Sequence, residues 1–248
     1  MKFFLSLFFI VALTANCTTA QQASSHDFNR KTLTAIHTMP SGGGYSGSDA
    51  TKNKLVLACR AHDSGLTINA QKAQPSFCSS ATYLVFAQAV NEIIQPDKEL
   101  AQALAVSLNQ KDGHGVFGRW NANGPGCAKL VADLGCGINF TNWEQAQPGD
   151  FLKIWWTDAI GGRERGHHVV YLGHDETTVR FWSSNTPNGY GEKTVPRDRC
   201  KRVLFTRITS PQRIAHATKL PASDPFLVQM LSRDFTWQQV ERACRVKK

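Results

Sequence analysis

The spacing of hydrophobic residues changes half-way along the chain. Up to about residue 134 it is helical. Asp49–Ala61, with Leu55, Val56 and Cys59 on one side and charges between, predicts an amphipathic helix capped by Ser48 or Asp49. Pro75 and Ser76 open a second helix whose apolar residues after Cys78 cover nearly every face, so it should be buried. Further helices are predicted near Phe28–His37, from Lys98 to about Leu108, and through Val131 and Leu134. From Phe151 onward the apolar runs are short. Phe151–Trp156, Val169–Leu172, Val179–Trp182 and Val203–Ile208 read as strands between Gly, Asp, Asn and Pro turns. Helices followed by meandering strands predict an α+β domain, the helical N-terminal half packed on an antiparallel β-sheet. Two glycine-rich stretches, Ser41–Gly47 and Trp120–Gly126, are expected to be loops, and a last helix is expected around Trp237–Ala243.

The first 20 residues alter the biological setting. Lys2, the apolar run Phe3–Leu13 and the small residues before Gln21 describe a secretory signal cleaved after Ala20. Cys17 leaves a lipoprotein reading open, although Asn16 and Thr14 fit a lipobox poorly. Cleavage after Ala20 leaves 228 of the 248 residues, and no later run resembles a membrane span. The expected divisions are an extension at 21–48, a catalytic domain at 49–210 and a helical extension at 211–248. The mature chain is expected to be a monomer in the periplasm or outside the cell.

Charge and cysteines narrow the partners. The net charge of +9 falls by one with Lys2, leaving a basic chain attracted to anionic cell-wall polymers or carrying a merely solvated basic surface. No compact Lys/Arg run interleaved with aromatics points to nucleic acid. Six cysteines survive cleavage, namely Cys59, Cys78, Cys127, Cys136, Cys200 and Cys244. An even number in an oxidising compartment favours disulfides, with Cys127–Cys136 as a short bridge and Cys200, Cys244 or Cys59 fastening the tail. No CxxC pair exists and the histidines lie far from the cysteines, so no metal or other cofactor is expected.

Cys78 has a second reading. A thiol at a helix start feels the partial positive charge of the unpaired N–H groups, which favours the thiolate and offers an oxyanion site. His167 and His168 head a later strand, Gly166–Gly173, from which an imidazole can lean over that helix end and act as base. The next strand ends in Asn185, which a hairpin returns to the histidines, where a carboxamide holds a ring tautomer. Alternation puts His167, Val169 and Tyr171 on one strand face and His168, Val170 and Leu172 on the other. His167 is the preferred base and His168 the alternative. Ser79, Trp120, Asn121, Gly124 and Tyr45 are candidates for the oxyanion site and cleft, with a plain surface turn as the alternative for the glycine-rich residues.

The order of a helix-start Cys78, Pro148-Gly149-Asp150 opening a strand, and Gly166-His167 before Val169-Val170-Tyr171 resembles the NlpC-type and CHAP-type hydrolases of the papain-like superfamily. The resemblance covers roughly Ser76 to Asn185. It implies a papain-like fold and a cysteine peptidase or amidase that cuts amide bonds of peptidoglycan stem peptides through a Cys78 thioester, with His167 as base and no cofactor. It also places the catalytic role on His167, with Tyr171 four residues on. The sequence departs from the pattern at Phe77, where the NlpC type usually carries Asp, and in about 70 residues between Cys78 and Pro148. A papain-like protease or acyltransferase acting on proteins would use the same triad. In a non-catalytic binding module Cys78 would instead be oxidised in a disulfide.

Overall fold

The computed structural model describes residues 27–108 and 110–247. The expected signal over residues 1–20, Cys17 included, lies outside them. The described chain is mixed α/β, built on one large and mostly antiparallel sheet. Residues 27–38 form helix α1. There follow β1 (Gly42–Gly43), α2 (Asp49–Ala58), β2 (Cys59–His62), β3 (Gly65–Ile68), α3 (Cys78–Ile94), α4 (Lys98–Leu104), α5 (Gly115–Asn121) and α6 (Gly126–Leu134). The second half adds β4 (Gly137–Phe140), β5 (Phe151–Trp155), β6 (His167–His174), β7 (Thr178–Asn185), β8 (Gly189–Pro196) and β9 (Arg202–Ile208), then α7 (Pro225–Gln229), α8 (Trp237–Cys244) and β10 (Val246–Lys247). The sheet order is β1-β8-β7-β6-β5-β9-β4-β10, with only β10 on β4 parallel. β2 and β3 pair separately as a hairpin.

Helix α3 lies across β6 and β7. Its apolar sides, from Ala81 to Val90, are buried against Phe151, Val170 and Trp182 of the sheet and against α5. A second cluster on the opposite sheet face gathers Leu152, Ile154, Val169, Phe181 and Phe205. Alternation therefore sends Phe151, Lys153 and Trp155 toward α3, and Leu152 and Ile154 away from it.

Both terminal segments belong to this body. Phe28 of α1 is fully buried in the main core, and Asn29 donates to Asp150 at 2.9 Å. The tail packs Met230, Phe235, Val240 and Cys244 on Trp155 and Leu204. It is helical only in part, since β10 ends it as an edge strand. Buried Arg119 ties the tail down through Asp224 at 3.3 Å and the Pro221 carbonyl at 2.7 Å.

Several expected elements change. The helix expected to reach Ala61 stops at Ala58, where the chain turns into β2, and the one expected to reach Leu108 stops at Leu104. The glycine run at 42–44 is partly a strand, and the stretch around Trp120 contains helix α5. Gly118 is there for close packing: a Cβ on it would stand 2.1 Å from the Lys111 carbonyl oxygen. No disulfide joins the cysteines of the described residues. Cys59, Cys78, Cys127, Cys136, Cys200 and Cys244 are all free thiols, so the expected Cys127–Cys136 bridge is not formed.

Candidate active site

Cys78 is the first residue of α3, and the capping residue Phe77 supplies no side-chain hydrogen bond to the helix end. The first-turn N–H groups are left to whatever occupies the space in front of them. Burial pushes the Cys78 thiol up. A hydrogen bond from His167, the charge of that imidazole and the charge of Lys153 outweigh it, and the pKa falls from 9.0 to about 6. The other five thiols of the described residues go the opposite way. Burial raises Cys59 and Cys136 to about 12 and Cys200 to about 11, and holds Cys127 and Cys244 well above the usual thiol range.

His167 begins β6, and its Nε2 lies 3.1 Å from Asn185 Oδ1 at the end of β7. The Asn185 amide is oriented by its surroundings, since Nδ2 donates to the carbonyls of Ser183 at 3.2 Å and Gly191 at 2.9 Å. Two carbonyls accept only, so the nitrogen must face them and the oxygen must face the histidine. An amide oxygen also only accepts, so Nε2 carries the proton and Nδ1 is the nitrogen left for the thiol. Trp156 and Phe181 flank the ring, with centroids at 6.3 and 5.6 Å.

Tyr45 reaches the same point from β1. Gly44 and Tyr45 donate backbone hydrogen bonds to Asn188 and Pro187, and Ser46 donates to Ser76. These bonds hold the phenol over the helix start. Burial and the Cys78 charge raise the hydroxyl to about 12, so it stays a neutral donor toward the Cys78 thiol, while its oxygen accepts from the Cys78 N–H. The run Gly42-Gly43-Gly44 has φ of 70°, 83° and 79°, a region only glycine enters freely.

Three expected residues are placed elsewhere. His168 is buried, with Nδ1 2.9 Å from Thr82 Oγ1 and its ring against Trp120 and Phe151. Burial, with the charges of Lys153 and His167, holds its pKa well below 6.5. This corrects the alternative of His168 as base: its imidazole is a neutral core group turned to the inner side of α3. Trp120 is likewise core, stacked on Phe86 and donating to Thr82. Gly124 does not line the cavity beside Cys78 either. It supports the next loop, its N–H donating to the Arg165 carbonyl at 3.2 Å.

Ser79 and Asn121 do line that cavity, together with Tyr45 and Cys78. Ser79 donates to Asn121 Oδ1 at 2.5 Å, and Asn121 Nδ2 to Asp112 at 2.6 Å. Sequence reasoning missed Asp112, Lys153 and Arg165, which share the lining. A lysine inside the apolar run Phe151–Trp155 was the available signal. Asp150 of the Pro-Gly-Asp turn is structural, fully buried and clamped by Arg207 at 2.7 and 2.6 Å.

No protein-family model matches the chain, and neither a curated protein nor a solved structure matches it. Chemically, the site sets an ionised thiol, a tautomer-fixed imidazole and two N–H or O–H donors around one sulfur. That is the equipment for acyl transfer. Among the described residues no group of His, Cys, Asp and Glu is placed to hold a metal, and no helix is long and apolar enough to cross a membrane.

Proposed function

We propose that this chain is an exported cysteine hydrolase of the papain-like kind that cleaves amide bonds in peptidoglycan stem peptides. The observation that carries the reading is the linked set Cys78, His167 and Asn185, with the thiol lowered to about 6 at a helix start while every other thiol of the described residues is raised. The thiolate attacks the amide carbonyl, and the Cys78 N–H and the Tyr45 hydroxyl receive the developing oxyanion. His167 then gives its proton to the leaving amine, and a thioester remains on Cys78. Water, deprotonated by the same imidazole, releases the acid.

Free, acidic Cys78 favours catalysis over a disulfide-bonded binding module. The basic net charge of +9 and the signal-like first 20 residues favour a wall polymer as the target over an intracellular protein. The test is release of soluble peptide from purified sacculi by the mature chain and by Cys78→Ala, with casein as a parallel substrate. The reading predicts release by the native chain alone. Hydrolysis of casein but not of sacculi would move the assignment to a protein-directed protease.

A further inference from the structure

The cavity on which the Cys78 sulfur opens has a volume of about 160 Å³, and its charges are unbalanced. Lys52, Lys153 and Arg165 line it, against the single carboxylate of Asp112. Lys52 is partly satisfied by Asp49 at 3.4 Å, on the helix that carries both. Lys153 and Arg165 form no ion pair and no side-chain hydrogen bond among the described residues. The Asp112 carboxylate already accepts from Asn121 at 2.6 Å. Counted over the lining, three cationic side chains face Asp112 and one Cys78 thiolate, an excess of one positive charge.

Lys153 is placed there by the fold. It stands opposite His168 in the β5–β6 register and on the sheet face that α3 covers, between the buried side chains of Phe151 and Trp155. A lysine at such a position is costly unless an anion meets it, and burial does lower its pKa. Arg165 lines the same cavity from the exposed loop before β6, where its planar fork suits a carboxylate. At about 30 Å³ per water in the liquid, the cavity has room for roughly five waters, or for a carboxylate and the few carbons joining it to a reacting carbonyl.

We infer that Lys153 and Arg165 form an anion-binding subsite beside Cys78, which selects substrates bearing a free carboxylate close to the bond attacked. The inference rests on the cysteine-hydrolase reading, because it takes Cys78 as the reacting atom. Lys153 and Arg165 bind and orient; neither takes part in bond making.

Alkylation of Cys78 by iodoacetate and by iodoacetamide tests the subsite without hydrolysis. The two probes put the same methylene on sulfur and expel the same iodide, and only iodoacetate carries a carboxylate. Rates at Cys78 are read by peptide mass spectrometry on the mature chain at one pH, so the ionised fraction of the thiol cancels in their ratio. The iodoacetate-to-iodoacetamide ratio should exceed that of free cysteine by about tenfold and fall toward it in Lys153→Met and in Arg165→Gln. Arg165 is exposed, so its variant keeps the test open if Lys153→Met does not fold. A ratio equal to that of free cysteine, or one unmoved in a folded variant, overturns the subsite and leaves the hydrolase reading standing. A Cys78 that iodoacetamide does not modify overturns both.

Discussion

Replacing His167 by Ala tests the electrostatics of the site on a single group. In the native chain burial raises the Cys78 thiol, while the His167 hydrogen bond, the His167 charge and Lys153 bring it from 9.0 down to about 6. Removing the imidazole leaves burial opposed by Lys153 and the His168 backbone, so the pKa should return to 9.0 or above. At about 1.36 kcal/mol per pH unit the loss is about 4 kcal/mol of preference for the thiolate. Near pH 7 the ionised fraction would drop from roughly nine-tenths to roughly one-hundredth. Thiolate ultraviolet absorbance reads this directly, and the molecule supplies a clear window. Cys200 at about 11, Cys59 and Cys136 at about 12, and Cys127 and Cys244, which burial also raises well above the usual thiol range, are silent below about pH 9. The native chain should show one step near pH 6 that vanishes in Cys78→Ala and moves up to about 9 in His167→Ala. A step that stays near 6 without His167 would refute the assignment of the imidazole as the thiol's partner.

Other expectations follow from single contacts. Tyr45→Phe should lower kcat by about 10²-fold with little change in KM, because it removes one oxyanion donor and no packing area; steady-state kinetics on a stem peptide read the split. Asn185→Ala should cost about 10²-fold in kcat by releasing the His167 ring. Its pH–rate profile should change shape, which a purely structural loss would not cause. Asp150→Ala should destabilise the fold by about 3–5 kcal/mol in denaturant titration, since it strands Arg207 and frees Asn29 of α1. His168 is neutral in the fold, and its pKa there is depressed below 6.5. The unfolded chain therefore takes up the proton first. Stability from this group is full above about pH 6.5 and is lost as the pH falls below it. In His168→Leu that acid-side loss should flatten while the Cys78 step near 6 stays in place.

How much of this was legible in the sequence depends on local signals. The helix beginning at Cys78 is announced by Pro75-Ser76 and by the apolar run behind it. The two-residue period of β6 separates His167 from His168, and in the structure the first meets Asn185 while the second meets Thr82. Long-range partners left weaker traces. Trp120 among glycines resembles an exposed stacking residue, yet those glycines exist to let α5 pack closely, which draws the indole onto Phe86. Tyr45 reaches Cys78 through β1 pairing with β8, across about 145 residues that no local pattern links. Lys153 could be noticed as a charge in an apolar strand, but its nearness to Cys78 follows from how α3 crosses the sheet. The cysteine count suggested bridges, because counting cannot convey where the thiols lie.

The central claim, amide hydrolysis of wall peptides through Cys78, is tested most directly by digesting purified sacculi in heavy-oxygen water and weighing the released fragments. The account predicts fragments with a new free amine and a new carboxylate that carries one heavy oxygen, formed by the native chain and absent with Cys78→Ala. Sacculi left intact by the native chain, or the same labelled fragments from Cys78→Ala, would contradict it.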